Sequence, residues 1–98
     1  MTSMQAISGG GKTGVSAMRI TDNILPYIPK EEEKVRKETR KILGKLKDGK
    51  IEDADIRVSC TCTRVPVIDG HTESVFVETE KEIDPALAKD TYDAYNKE

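Results

Sequence analysis

The sequence has no tryptophan, one phenylalanine and one histidine in 98 residues. A chain of this length can bury only a thin core. With so few large apolar side chains, its apolar surface is expected to be completed by a partner or by further chain. No sign of charge dominates. Sixteen basic and eighteen acidic residues are interspersed, for a net charge of −2. No basic stripe is present, so no nucleic-acid partner is expected. No apolar run reaches the ~18 residues of a membrane helix, so no membrane partner is expected either. Met1 to Ser8 lacks the basic and apolar regions of a signal peptide, which makes the cytoplasm the default location. There is no internal repeat and no low-complexity tract, and the length suits one domain.

Only two cysteines occur, Cys60 and Cys62. Their spacing in a predicted strand places them on one face, where a disulfide is not expected. With His71 they make three potential metal ligands but lack a fourth, so no metal site is expected. They read as small core residues, poorly placed to act as a nucleophile.

Met1 to Ser8 reads as the tail of a buried strand running into Gly9-Gly10-Gly11, as if the chain began partway through a domain. Residues 9–14 form a flexible loop. Residues 16–25 suggest a short helix, ended by Pro26 and Pro29. The pattern predicts a helix over 31–47, with an acidic first turn (Glu31, Glu32, Glu33), a basic last turn (Lys45, Lys47) and one apolar stripe of Val35, Thr39, Ile42, Leu43 and Leu46. Asp48-Gly49 then turns the chain. Residues 56–62 and 74–79 alternate as half-buried strands. Asp84-Pro85 is a helix start, with Asp84 as N-cap and Pro85 at the first position, and the helix that follows carries Leu87, Tyr92 and Tyr95.

The chemistry concentrates between Cys62 and Glu73. His71 leaves an Asp69-Gly70 turn, where an imidazole can take and give protons near neutrality. Seven residues earlier, Arg64 continues the buried parity of Ile56, Val58, Cys60 and Cys62. A guanidinium there suits a carboxylate or phosphate. An acid/base beside an anion clamp fits an enzyme acting on a small anionic substrate. Residues 6–13 (Ala-Ile-Ser-Gly-Gly-Gly-Lys-Thr) fall short of a phosphate-binding loop, because Ala6 stands where that motif needs glycine. The glycines instead permit close approach of backbone to a ligand or cofactor. Glu38 and Lys41 sit three apart at the edge of the apolar stripe, where such charges are ordinarily a solvated pair.

Five blocks carry a resemblance: Met4-Gln5-Ala6-Ile7-Ser8-Gly9-Gly10-Gly11, Asp22-Asn23-Ile24-Leu25-Pro26-Tyr27-Ile28, Glu31-Glu32-Glu33-Lys34, Glu38-Thr39-Arg40-Lys41-Ile42-Leu43-Gly44, and Arg64-Val65-Pro66-Val67-Ile68-Asp69-Gly70-His71-Thr72-Glu73. In this order and spacing the chain resembles the aspartate-semialdehyde dehydrogenases of archaeal and fungal type, from Met4 to about Glu80; the last helix matches weakly. The resemblance implies an α+β fold with a mixed, mainly antiparallel sheet and helices on one face, incomplete here. Residues 1–98 would be part of the catalytic and dimerisation domain, without the N-terminal NAD(P)-binding domain or the C-terminal closing segment.

The implied reaction is NADPH-dependent reduction of L-aspartyl 4-phosphate to the 4-semialdehyde, and its reverse with phosphate, through a cysteine thioester. It belongs to lysine, threonine and methionine biosynthesis. By the same resemblance His71 would be the acid/base and Gln5 would orient the thioester or substrate. Arg64 would hold the substrate carboxylate, Glu38 its amino group and Lys41 the phosphate, while Ser8 and Gly9 would line the end of the site that faces NADP (or NAD). Cys60 and Cys62 do not match the family nucleophile, so the 98-residue chain alone is expected to be inactive. Gly10-Gly11-Lys12 and Thr63 depart from the family pattern beside the site. A homodimer or homotetramer is implied. The alternatives are a malonyl- or succinyl-CoA reductase on the same scaffold, or a non-catalytic dimerisation module.

Overall fold

The computed structural model describes residues 1–96. Its centre is a three-stranded mixed sheet in the order β4-β1-β5. Strand β1 (Thr2–Gln5) lies between β4 (Thr61–Arg64), which is parallel to it, and β5 (Thr72–Ser74), which is antiparallel. The register sets Ser3 opposite Cys62 and Gln5 opposite Arg64. Side chains alternate across a strand, so these four share one face, and all four are buried. The expected mixed sheet is present. Its antiparallel pair is β1 with β5, and a separate two-stranded antiparallel hairpin is formed by β2 (Lys45–Lys47) with β3 (Lys50–Glu52).

Helix α1 is short (Ala17–Ile20) and contributes the buried Ile20. Helix α2 (Glu31–Ile42) begins with its three glutamates, as the macrodipole favours, and covers the outer edge of β4. There the Glu32 carboxylate accepts the Cys62 N–H at 3.3 Å, and the Glu32 carbonyl accepts the Cys60 thiol at 3.4 Å. Further along the same edge, Leu25 and Arg64 exchange two backbone hydrogen bonds of 2.9 Å. Helix α3 (Pro85–Tyr95) starts as expected, with the Asp84 side chain accepting the Ala86 N–H at 2.9 Å and Pro85 in the first turn.

Three sequence expectations are corrected. The helix predicted to Lys47 ends at Ile42, and Lys45–Lys47 is a strand instead. Gly44 lets the Glu52 carbonyl approach too closely for any Cβ, and Asp48 and Gly49 both take positive φ (50° and 75°), the geometry of a two-residue hairpin turn. The strand predicted over 56–62 is paired only from Thr61, where it meets β1. The strand predicted over 74–79 is paired earlier, over 72–74. Beyond the Ser74–Thr2 pair it leaves the sheet.

Among the described residues the buried set is Ser3, Gln5, Ala6, Ile20, Cys60, Cys62 and Arg64, all but one of them small or polar. The large apolar side chains lie outside. Phe76 is 91% exposed, Leu46 78% and Ile42 77%. The apolar stripe read from α2 is therefore only partly used: Val35 and Thr39 are half-buried, while Ile42, Leu43 and Leu46 face solvent. This is the thin core that the composition implied. No helix among the described residues is long and apolar enough to cross a membrane.

Candidate active site

The site forms where β1 and β4 end side by side. Two loops leave these strands and zip together. Val65 N donates to Gln5 O at 2.9 Å, Ile7 N to Val67 O at 2.8 Å and Ser8 N to Ile68 O at 3.0 Å. Residues Ile7–Gly10 thereby close into a 3₁₀ turn lying along the 65–70 loop. The Ser8 hydroxyl donates to the Asp69 carboxylate at 2.8 Å and fastens the two loops at their tips. Gly70, at φ 84°, then reverses the chain, which returns as β5 with His71 just before it.

Ala6 is the common seat of His71 and Arg64. Its N–H donates to His71 Nδ1 at 3.2 Å, and its carbonyl accepts Arg64 Nη1 at 2.6 Å. An Nδ1 that accepts a hydrogen bond carries no proton, so the neutral imidazole holds its proton on Nε2. Gly9 closes the cluster. A Cβ there would stand 3.0 Å from Arg64 Nη1 and 3.3 Å from His71 Nε2.

Burial separates the roles of these two groups. His71 is exposed, whereas Arg64 is 6% exposed. No acidic side chain pairs with Arg64 in any ion pair among the described residues. A buried cation satisfied by one backbone carbonyl lacks the charge compensation such groups normally require. It can take an anion with its remaining donors.

Asp69 titrates below the ordinary carboxylate range. The Ser8 hydrogen bond is the main cause and the Gly70 N–H the next; the charge of His71 adds to both. The Cys62 thiol is pushed upward, first by burial and then by Cys60 and Glu32. Together with full burial, this keeps Cys62 a core thiol and not a nucleophile. Cys60 is buried beside it, and both cysteines are free. No group of three or more metal-ligating side chains occurs among the described residues.

Of the residues singled out in the sequence, the structure gathers Arg64, His71, Gly9 and Ser8 around Ala6, with Gln5 buried at the end of β1 opposite Arg64. It does not join Glu38 or Lys41 to them. Both lie exposed on α2, and neither side chain bonds to the cluster among the described residues. Two contributors escaped the sequence reading. Ala6 acts through its backbone, which no side-chain pattern reports. Asp69 was read only as a turn former, although a carboxylate one residue before a turn glycine commonly caps nearby donors.

The family model for the semialdehyde dehydrogenase dimerisation domain matches residues 1–98. The chain is 52% identical over 94 residues to the aspartate-semialdehyde dehydrogenase of Archaeoglobus fulgidus, covering 96% of this chain and 27% of that protein. It is 45% identical over 95 residues to the enzyme of the same name from Methanothermobacter thermautotrophicus, covering 97% and 27%. Among solved structures it is similar to aspartate semialdehyde dehydrogenase with NADP from Candida albicans. There the TM-score is 0.77 at 42% identity, over 91% of this chain and 26% of that one. The chain thus spans about a quarter of the length of the relatives it matches. A match along the whole sequence, with the same fold, places this chain in the semialdehyde dehydrogenase family, as its dimerisation domain.

Proposed function

We propose that this domain serves, within the full-length protein, the NADP-dependent interconversion of L-aspartyl 4-phosphate and L-aspartate 4-semialdehyde. The observation that carries the reading is the buried Arg64, without an acidic partner among the described residues and set against His71 across Gly9. This is a carboxylate fork beside a proton carrier, which suits a small substrate with one free carboxylate and one reacting acyl carbon. The names of the curated relatives and the NADP of the Candida structure support the same chemistry.

In this reading Arg64 binds the substrate carboxylate with the donors that Ala6 leaves free. His71 presents Nε2 toward the reacting acyl group and holds or passes a proton there. Gln5, buried beside Arg64, orients the acyl group. Glu38 and Lys41 take the substrate amino group and the phosphate from the α2 side. Since Cys60 and Cys62 are buried, the thiolate that forms the thioester comes from outside residues 1–98. Ser8 and Gly9 face the cofactor end. The open backbone at Gly11 and Gly14, where a Cβ would meet nothing within 4 Å, leaves room for a bulky neighbour. NADPH, when bound, supplies the reducing equivalent. Association through this domain into a dimer or tetramer, in the cytoplasm, completes the reading.

The test is an assay of the full-length protein for NADP reduction that depends on both aspartate semialdehyde and inorganic phosphate. His71→Asn is expected to abolish it. Turnover with coenzyme A in place of phosphate would move the assignment to an acyl-CoA reductase. Unchanged turnover in His71→Asn would remove the catalytic reading.

A further inference from the structure

We propose that Asp69 is a positioning residue of this site, holding Ser8 so that the Ala6–Gly9 backbone seats both Arg64 and His71. The inference rests on the reading of Arg64 and His71 given above and extends it to a residue that touches neither of them in a hydrogen bond. The chain of contacts is continuous. The Asp69 carboxylate accepts from Ser8 Oγ at 2.8 Å, and Ser8 N donates to Ile68 O at 3.0 Å, so Ser8 is held by side chain and backbone together. Only Ile7 separates this anchor from Ala6, whose two backbone polar atoms bind His71 Nδ1 and Arg64 Nη1. Gly9, next to Ser8, lies against both side chains, closely enough that even a methyl group would press on them.

The carboxylate has the charge state the role requires. Its hydrogen bonds from Ser8 and Gly70 hold it ionised well below neutrality, so it is a permanent acceptor under working conditions. A neutral acceptor would hold the hydroxyl less firmly, since hydrogen bonds to charged groups are the stronger kind. Without the anchor, the 3₁₀ turn retains its backbone bonds to Val67 and Ile68 and its own long internal ones, Gly9 N to Ala6 O at 3.3 Å and Gly11 N to Ser8 O at 3.4 Å, but no side-chain tie to the 65–70 loop. The Ala6 N–H, still flanked by the backbone bonds at Gln5 and Ile7, would then be held less firmly opposite Nδ1. The His71 ring would lose the contact that keeps its proton on Nε2, the nitrogen available to a substrate.

The experiment uses the full-length protein with Asp69→Ala, Ser8→Ala, the double variant and Asp69→Asn. Each single alanine variant is expected to lower kcat about tenfold, the effect of one misplaced hydrogen-bonding group. The double variant should be no slower than the slower single, because both break one link. KM for the semialdehyde should rise by a few-fold at most, less than kcat falls, since Arg64 keeps its charge and loses only part of its seat. Asp69→Asn, whose amide oxygen still accepts from Ser8, should recover part of the rate. ¹⁵N spectra of histidine-labelled protein, with His71 assigned by its loss in His71→Asn, supply a readout independent of turnover. The wild type should show protonated Nε2 and accepting Nδ1, and both alanine variants a tautomer mixture. Multiplicative losses in the double variant, or an unaltered His71 spectrum in both single variants, would overturn the proposal. If the wild-type protein lacks the assigned activity, that reading falls alone, and the spectra still decide this one. If Asp69→Ala does not fold, Ser8→Ala carries the test.

Discussion

Arg64 and Ala6 are joined by a 2.6 Å hydrogen bond from a buried guanidinium to a backbone carbonyl, with no carboxylate paired to that guanidinium among the described residues. A charge held this way is costly to the fold and useful to an anionic ligand. Stability and activity should therefore respond in opposite directions when it is removed. Arg64→Met, which keeps an unbranched apolar stem and drops the charged guanidinium, is expected to leave the melting temperature unchanged or raised. The same variant should lose on the order of 100-fold in kcat/KM for the substrate proposed above, about 2.7 kcal/mol of transition-state stabilisation. Arg64→Lys should recover little, because an ammonium cannot reach both the Ala6 carbonyl and a carboxylate in fork geometry. A thermal melt beside steady-state kinetics checks both halves. A large fall in melting temperature for Arg64→Met would mean that the arginine serves the fold.

Gly9 gives a second, subtler probe. Its nearest neighbours across space are side-chain atoms, Arg64 Nη1 and the His71 ring, so an added methyl group would be accommodated by moving these and not by breaking backbone. Gly9→Ala is expected to fold normally and to raise KM for the carboxylate substrate by roughly three- to tenfold, the cost of a fork shifted by a few tenths of an ångström. Wild-type kinetics in Gly9→Ala would show that Arg64 binds nothing on that side.

Much of this geometry was legible in the sequence, for definite physical reasons. Strand parity from Cys60 through Cys62 to Arg64 correctly placed the arginine on the buried face, because the period of a strand is two and does not drift. Asp84-Pro85 marked a helix start that depends on local contacts alone. The 31–47 helix failed at its end, although Lys47-Asp48-Gly49-Lys50 carried a hairpin signal. The apolar spacing of Leu43 and Leu46 fits a helix too, so the Asp48-Gly49 turn is expected after a helix and not between two paired strands. The strand ends failed because pairing depends on where the neighbouring strand lies, which no local pattern contains. The meeting of His71 with Ala6 joins residues 65 apart through a backbone N–H, and composition is blind to that.

The outer apolar residues predict association. Phe76 is 91% exposed, between Val75 at 58% and Val77 at 67%, on a domain whose family model is one of dimerisation. Burying one such aromatic side chain contributes about 1.5–3 kcal/mol. Phe76→Glu in the full-length protein is accordingly expected to weaken self-association by at least about tenfold, read as a shift toward monomer in sedimentation velocity over a dilution series. An unchanged assembly would place Phe76 against another part of its own subunit.

The Ser8–Asp69 link carries a pH dependence of known sign. The carboxyl of Asp69 titrates lower in the folded protein than in the unfolded chain, chiefly because the Ser8 hydroxyl bonds to its charged form. Such a group contributes stability that is fully present above the unfolded value of about 3.9. That contribution shrinks as the pH falls through this range and is gone below the depressed native value. The melting temperature of the wild-type protein should thus exceed that of Asp69→Asn at and above about pH 5, and the margin should narrow as the medium approaches about pH 4. Because the carboxylate is exposed, the margin should be small and should decline with added salt as its contribution from His71 is screened; the Ser8 hydrogen bond is less sensitive to salt. A margin that widened between about pH 5 and about pH 4 would require Asp69 to be protonated in the native state. The Ser8 hydroxyl would then be donating to an oxygen without charge, contrary to the arrangement on which the seating of His71 depends.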